Sequence, residues 1–181
     1  MRRGLLLLLL LLAACSRRPT DACDDGDGKR PVGTALLAFL SRSRSAHHRA
    51  DAREEQHDAL AAEAELDAIV SGPKPACGDA PEVREVLADT RARLGDLRSR
   101  HGAFEGARRD ILAGLALVPE QSYFHGHLLE VRGLLEERQA KALAQTGDAA
   151  GAQAAKARAL DAFQEAMRIQ AAVIERAAPK P

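Results

Sequence analysis

Alanine supplies 37 of the 181 residues, whereas valine and isoleucine together supply 11. Alanine, with the leucines, arginines, glutamates and glutamines that accompany it, is a strong helix former, and the β-branched residues that suit a pleated strand are scarce. There is no tryptophan, and aromatic residues make up 3% of the chain, so a sheet stacked around large rings is excluded. The composition predicts an all-α protein with room for one domain of ordinary size. Lys plus Arg and Asp plus Glu each number 26. No net basic field would draw such a chain to nucleic acid, and none is expected as a partner.

The first residues, MRRGLLLLLLLLAAC, place two arginines before eight consecutive leucines, Leu5 to Leu12, followed by two alanines and Cys15. A positive region, a short apolar run and small residues make a secretory signal, which is set aside from fold reasoning. The run is about half the ~20 apolar residues that span a bilayer. Leu12-Ala13-Ala14-Cys15 closely resembles the lipobox of bacterial lipoproteins. The resemblance implies cleavage after residue 14 and acylation of Cys15, which anchors the chain to the membrane because two or more acyl chains hold stably where one does not. It also implies an envelope address, and Ser16 after the cysteine leans it toward the outer membrane facing the periplasm. In that oxidising compartment Cys23 and Cys77 could pair. The bridge would close a loop of about 54 residues, worth about 4 kcal/mol on a chain-entropy model. Two separate thiols are the alternative.

The expected organisation is a signal over 1–14, a polar tether over 15–33 rich in Asp, Gly and Pro, and a helical domain over 34–178. Within the tether, Asp25, Asp27 and Gly28 are similar to part of a calcium loop, but Cys23 and Thr34 stand where its first and twelfth ligands belong, so a solvated linker is the better reading. Leu36, Leu37, Phe39 and Leu40 begin the helical signals. The Ser-Arg alternation of Ser41 to Ser45 predicts an interruption, and a second helix is expected from about Ala46 to Val70, with Leu60, Leu66, Ile69 and Val70 as its buried stripe. Ser71-Gly72-Pro73 ends it, and Asp79, Pro81 and Glu82 read as the next start. Ser122 to Thr146 and Ala149 to about Ala177 predict two further helices around a Gly147-Asp148 turn, with Leu128 and Leu129 at packing places.

Residues 88–121 carry Leu94-Gly95, Gly102, Phe104, Ala107, Leu115 and Pro119 at the spacing of a tetratricopeptide repeat, about 34 residues long. The segment resembles that family, although Arg91 and Arg98 stand where large apolar or aromatic residues are common and Gly114 replaces an alanine. A later unit has Ala159, Phe163, Ala166 and Met167 in the spacing of a second helix, about seven residues late. The resemblance implies antiparallel helical hairpins stacked as a short α-solenoid, whose first helices line a surface that grips a peptide or a partner's helix. It places Asp89, Ala92, Asp96, Ser99 and Arg100 of the matched repeat, and Tyr123, Gly126 and Glu130 of the next, at partner-facing positions.

Chemistry finds little support. His47, His48, His57, His101, His125 and His127 include no pair of ligands at the helical spacing of a zinc motif. No nucleophile elbow, phosphate loop or dinucleotide fingerprint occurs. Acids and arginines alternate as on solvated helix faces. The expectation is a protein that is not an enzyme, needs no cofactor or metal, and binds an unidentified envelope protein or peptide. The alternatives are a structural helical lipoprotein without a specific groove and, less favoured, a periplasmic metal binder or enzyme.

Overall fold

The computed structural model describes residues 33–178, and these form an all-α protein. The signal, Cys15, Cys23 and nearly all of the tether lie outside the described residues. Six helices occur among the described residues: α1 (Thr34–Glu55), α2 (Ala59–Ser71), α3 (Pro81–Arg100), α4 (Phe104–Leu115), α5 (Tyr123–Gln145) and α6 (Ala149–Ala177). They pair as three antiparallel hairpins, α1 with α2, α3 with α4 and α5 with α6, and each hairpin packs on the next through its neighbour's first helix. None is long and apolar enough to cross a membrane.

Each turn within a hairpin is closed by the same backbone device. The N–H donors of Asp58, Ala103 and Asp148 reach back to the carbonyls of Arg53, Arg98 and Leu143 at 2.9, 2.9 and 3.0 Å. Such a cap requires a left-handed residue just past the helix. That place is taken by His57 (φ 58°), Gly102 (φ 79°) and Gly147 (φ 84°), which are spaced 45 residues apart. The helix ends Glu55, Arg100 and Gln145 keep the same spacing, as do the starts Ala59, Phe104 and Ala149. The hairpins therefore recur every 45 residues rather than the 34 that the resemblance implies. Small residues keep step, and all are buried: Ser43, Ala88 and Gly133; Ala50, Gly95 and Ala140; Ala62, Ala107 and Ala152. They let the helices close on one another; a β-carbon at Gly95 would lie 2.7 Å from Ile111 Cγ1.

The expected interruption at Ser41 to Ser45 does not occur. α1 runs straight through it, because Ser43 Oγ donates to the Phe39 carbonyl and Ser45 Oγ to the Ser41 carbonyl, each at 2.9 Å. Serine turned back onto its own helix satisfies its hydroxyl without breaking the ladder. The break comes instead at Gln56-His57-Asp58, where Asp58 caps α2 by accepting from the Ala61 N–H at 3.1 Å. Leu60, expected in the buried stripe, is 80% exposed on the first turn of α2, while Leu66 and Ile69 are buried. His57 spends about 1 kcal/mol in a left-handed conformation that disfavours a β-carbon. His57→Gly should therefore raise stability by about 0.5–1 kcal/mol in a denaturant melt, since part of the relief is offset by glycine's freedom in the unfolded chain.

The core follows the chain as a series of local clusters. Leu36, Phe39, Ile69 and Val83 join the first two hairpins, with half-buried Cys77 against them. Ala88, Ala92, Ile111, Leu128 and Leu135 join the second to the third. Leu129, Ala166 and Ile169 hold α6 on α5.

Two buried ion networks sit between these clusters. In the first, Arg98 reaches Glu63 (3.0 Å) and Asp67 (2.5 Å) on α2 and Asp110 on α4, and Arg91 bonds Asp110 at 3.1 Å. In the second, Glu136 on α5 receives Arg108 from α4 and Arg158 from α6, the latter at 2.8 Å. Arg91 and Arg98, the two departures from the repeat pattern, are thus both partners of one acid that is 6% exposed.

Candidate partner-binding groove

The first helices of the three hairpins, α1, α3 and α5, leave a hollow of about 360 Å³ between them. Its walls are His47 from α1, Asp89, Ala92, Arg93 and Asp96 from α3, and His127, Glu130, Val131 and Leu134 from α5. A second hollow of about 320 Å³ shares His47 and Asp89 and continues along α1 and α3 past Ser43, Arg44 and Val86. Together they make one groove running along the first helices.

Four of the residues expected to face a partner, Asp89, Ala92, Asp96 and Glu130, come together here. The others do not join them. Ser99 is 1% exposed; its hydroxyl accepts from Arg138 at 2.6 Å and donates to the Asp96 carbonyl at 2.9 Å, so it is spent between α3 and α5. Arg100 bonds Glu54 at 2.7 Å and lies at a separate hollow of about 190 Å³ with His57 and His101. Gly126 is buried against α6, where a β-carbon would meet Gln170 at 3.2 Å. Tyr123 is 56% exposed, with its ring parallel to that of His127 at 6.2 Å and edge-on to Phe124 at 5.3 Å.

Charge in the groove divides into satisfied and open groups. Asp96 is held by Arg138 at 2.9 Å and Arg100 at 3.1 Å, and Arg93 by Asp51 at 2.6 Å and Glu54 at 2.7 Å. Burial opposes Glu54's charge, but hydrogen bonds from Arg93 and Arg100 outweigh it and hold the carboxyl below its usual range. Among the described residues, Asp89 and Glu130 each have a histidine as their ion-pair partner. His47 Nδ1 stands 4.0 Å from the Asp89 carboxylate and His127 Nδ1 3.6 Å from that of Glu130. Their side chains stay 46% and 50% exposed.

The state of His47 follows from its surroundings. Burial lowers its pKa, and the nearby Arg93 adds to this, more than Asp89 raises it, so the ring is neutral at pH 7. Thr90 already donates its hydroxyl to the Val86 carbonyl at 2.8 Å, so it accepts from His47 Nε2 at 3.0 Å. That hydrogen-bond assignment leaves Nδ1 as a bare acceptor facing a carboxylate. Two acceptors side by side, one anionic, are complementary to a cationic donor such as a lysine or arginine side chain. Between this pair and the similar one at His127 and Glu130 lie Ala92, Val131 and Leu134.

Sequence reasoning missed His47, His127, Val131 and Leu134. The histidines had been weighed only as metal ligands, and their spacing argued against that use. Among the described residues, no cluster of His, Cys, Asp and Glu is arranged to hold a metal ion. Comparison with family models, with curated proteins and with solved structures finds no match for this chain.

Proposed function

We propose that this protein is a non-catalytic interaction scaffold of the bacterial envelope, anchored through an acylated Cys15 and gripping a partner in the groove along α1, α3 and α5. The observation that carries the grip is the pair of half-exposed carboxylates, Asp89 beside His47 and Glu130 beside His127, in the walls of one hollow that Leu134 also lines. This arrangement suits a basic, amphipathic segment of another envelope protein, with an apolar side chain against the partly exposed Leu134 and cationic ones at the two acids. That the first helices of the three stacked hairpins line the hollow supports the same reading. A Cys23–Cys77 bridge would tie the tether to the first hairpin, where Cys77 packs.

The test is site-specific photocrosslinking in cells from a reactive residue at Leu134 in the full-length chain. One dominant adduct is expected, and the crosslinked peptide of the partner should carry Lys or Arg flanking apolar residues. Asp89→Lys with Glu130→Lys should lower its yield about tenfold, as like charge replaces complementary charge. A Cys15→Ser chain in the same cells should leave the membrane fraction. Adducts that are unchanged by the double reversal would overturn the groove reading and favour a helical lipoprotein of purely structural use.

A further inference from the structure

The fully buried residues of the last helix are mostly alanine, Ala152, Ala155, Ala159, Ala162 and Ala166, with Ile169, and the partly buried Phe163 and Val173 pack on the same side, Phe163 against Gly133 of α5. Three other large apolar residues point outward, with Leu160, Met167 and Ile174 exposed by 57, 61 and 70%. Exposed Ala157, Gln164 and Ala171 alternate with them. Steps of three and four residues from 157 to 174 make this outer stripe a heptad seam, the pattern of a helix that expects a second helix. Met167, expected at a packing place in its own hairpin, belongs to this outer seam.

Counting back by one 45-residue period from Leu160 gives Leu115 and then Val70, which pack into the clusters formed with the third hairpin and with Leu94 and Leu97 of the second. Among the described helices α6 packs on α5 alone, so Leu160 and the rest of the outer stripe are uncovered there.

We infer that the outer seam of α6 is a self-association surface, on which the α6 of a second copy docks antiparallel. In the register centred between residues 165 and 166, each large residue meets a small or polar one: Leu160 faces Ala171 of the second copy, Met167 faces Gln164 and Ile174 faces Ala157. The same register sets Asp161 beside Arg168 of the other copy, twice by symmetry. Arg168 is held at the seam by Glu165, with Nε to Oε2 at 2.8 Å and the second nitrogen at 2.5 Å. A parallel pair would not bring 161 and 168 together. The closed two-fold arrangement also ends growth at a dimer.

The test is sedimentation velocity on the full-length chain in density-matched detergent across the micromolar range. A monomer–dimer equilibrium is expected. Met167→Lys, with unchanged helical circular dichroism, should weaken it at least about tenfold. Asp161→Arg alone should weaken it as well, and Asp161→Arg with Arg168→Asp should restore it, because the swapped pair keeps its complementarity only in the antiparallel register. A monomer at every concentration, a dimer indifferent to Met167→Lys, or a charge swap that fails to restore association would each overturn the proposal.

Discussion

Replacing Glu136 by alanine should lower the stability of the protein by about 3 kcal/mol, seen as a fall in Tm of about 10 °C. Glu136 is fully buried, yet it is charged, because Arg108 and Arg158 converge on its two oxygens from α4 and α6. Arg108 also bonds Gln139 at 2.7 Å. The single carboxylate therefore pins three helices, and it is the principal polar tie between α6 and the rest of the chain. Removing it leaves two guanidinium groups side by side, with only Glu105, 4.0 Å from Arg108, as a counter-charge among the described residues. Glu136→Gln keeps the shape and one acceptor and should cost about half as much. Equal melting of the three proteins would mean that the alanine seam alone holds α6.

The pH dependence of this tie has a definite sign. Burial raises the pKa of Glu136, but the hydrogen bonds and charges of Arg108 and Arg158 outweigh it, so the folded value lies below that of free glutamate. Its contribution is fully present above the unfolded pKa and is lost as pH falls through the folded one. Asp110 behaves oppositely. Burial raises its pKa and exceeds the pull of Arg98 and Arg91. The two networks differ in charge count. Two arginines converge on Glu136, whereas Asp110 shares Arg98 with Glu63 and Asp67 and has Arg91 as a second partner. Acid should accordingly loosen the third hairpin before the second, which hydrogen exchange at acidic pH would resolve helix by helix.

The parts of this architecture legible in the sequence are those marked by residues with one local meaning. Gly102 and Gly147 gave their turns, Pro81 opened α3, and the starts read at Ser122 and Ala149 fall within about a residue of those of α5 and α6. The first turn was hidden because a histidine holds the left-handed place that glycine holds in the other two. With that marker missing, the serines of α1 looked like the better break. The 45-residue period was hidden for a related reason: its signature is small buried residues at matching places, and alanine is too common here for three coincidences to stand out.

The groove was legible only in part, for a geometric reason. Counting along a repeat says which residues face the neighbouring first helices, but not which of those are consumed by them. Asp96 and Ser99 face the right way and are spent on Arg138; Asp89, seven residues before Asp96, reaches past the contact and stays open. The contribution of α1 could not be placed while α1 itself was split, so His47 was absent from the expected lining.

Arg98→Met should cost about 3–5 kcal/mol at neutral pH, and its dependence on pH separates a network from a mere loss of packing. Arg98 is the hub through which α3 holds Glu63 and Asp67 of α2 and Asp110 of α4. Without it, Glu63 and Asp67 lose the arginine that holds them and Asp110 keeps Arg91. Of the three acids, Asp110 is the most buried, at 9% side-chain exposure against 19% for Glu63 and 46% for Asp67. The stranded carboxylate relieves itself by taking a proton, so the difference between Arg98→Met and the parent protein should shrink as pH falls. Asp110→Asn in the Arg98→Met background should recover about 1–2 kcal/mol, although the same change in the parent protein, where it removes a satisfied acid, should destabilise. A mutation that turns from harmful to helpful when its neighbour changes is the signature of direct coupling. Thermal melts of the four proteins at neutral and acidic pH measure it. If Arg98→Met costs the same at both pH values and Asp110→Asn destabilises in both backgrounds, the arginine acts through its packing and not through its coupling to Asp110.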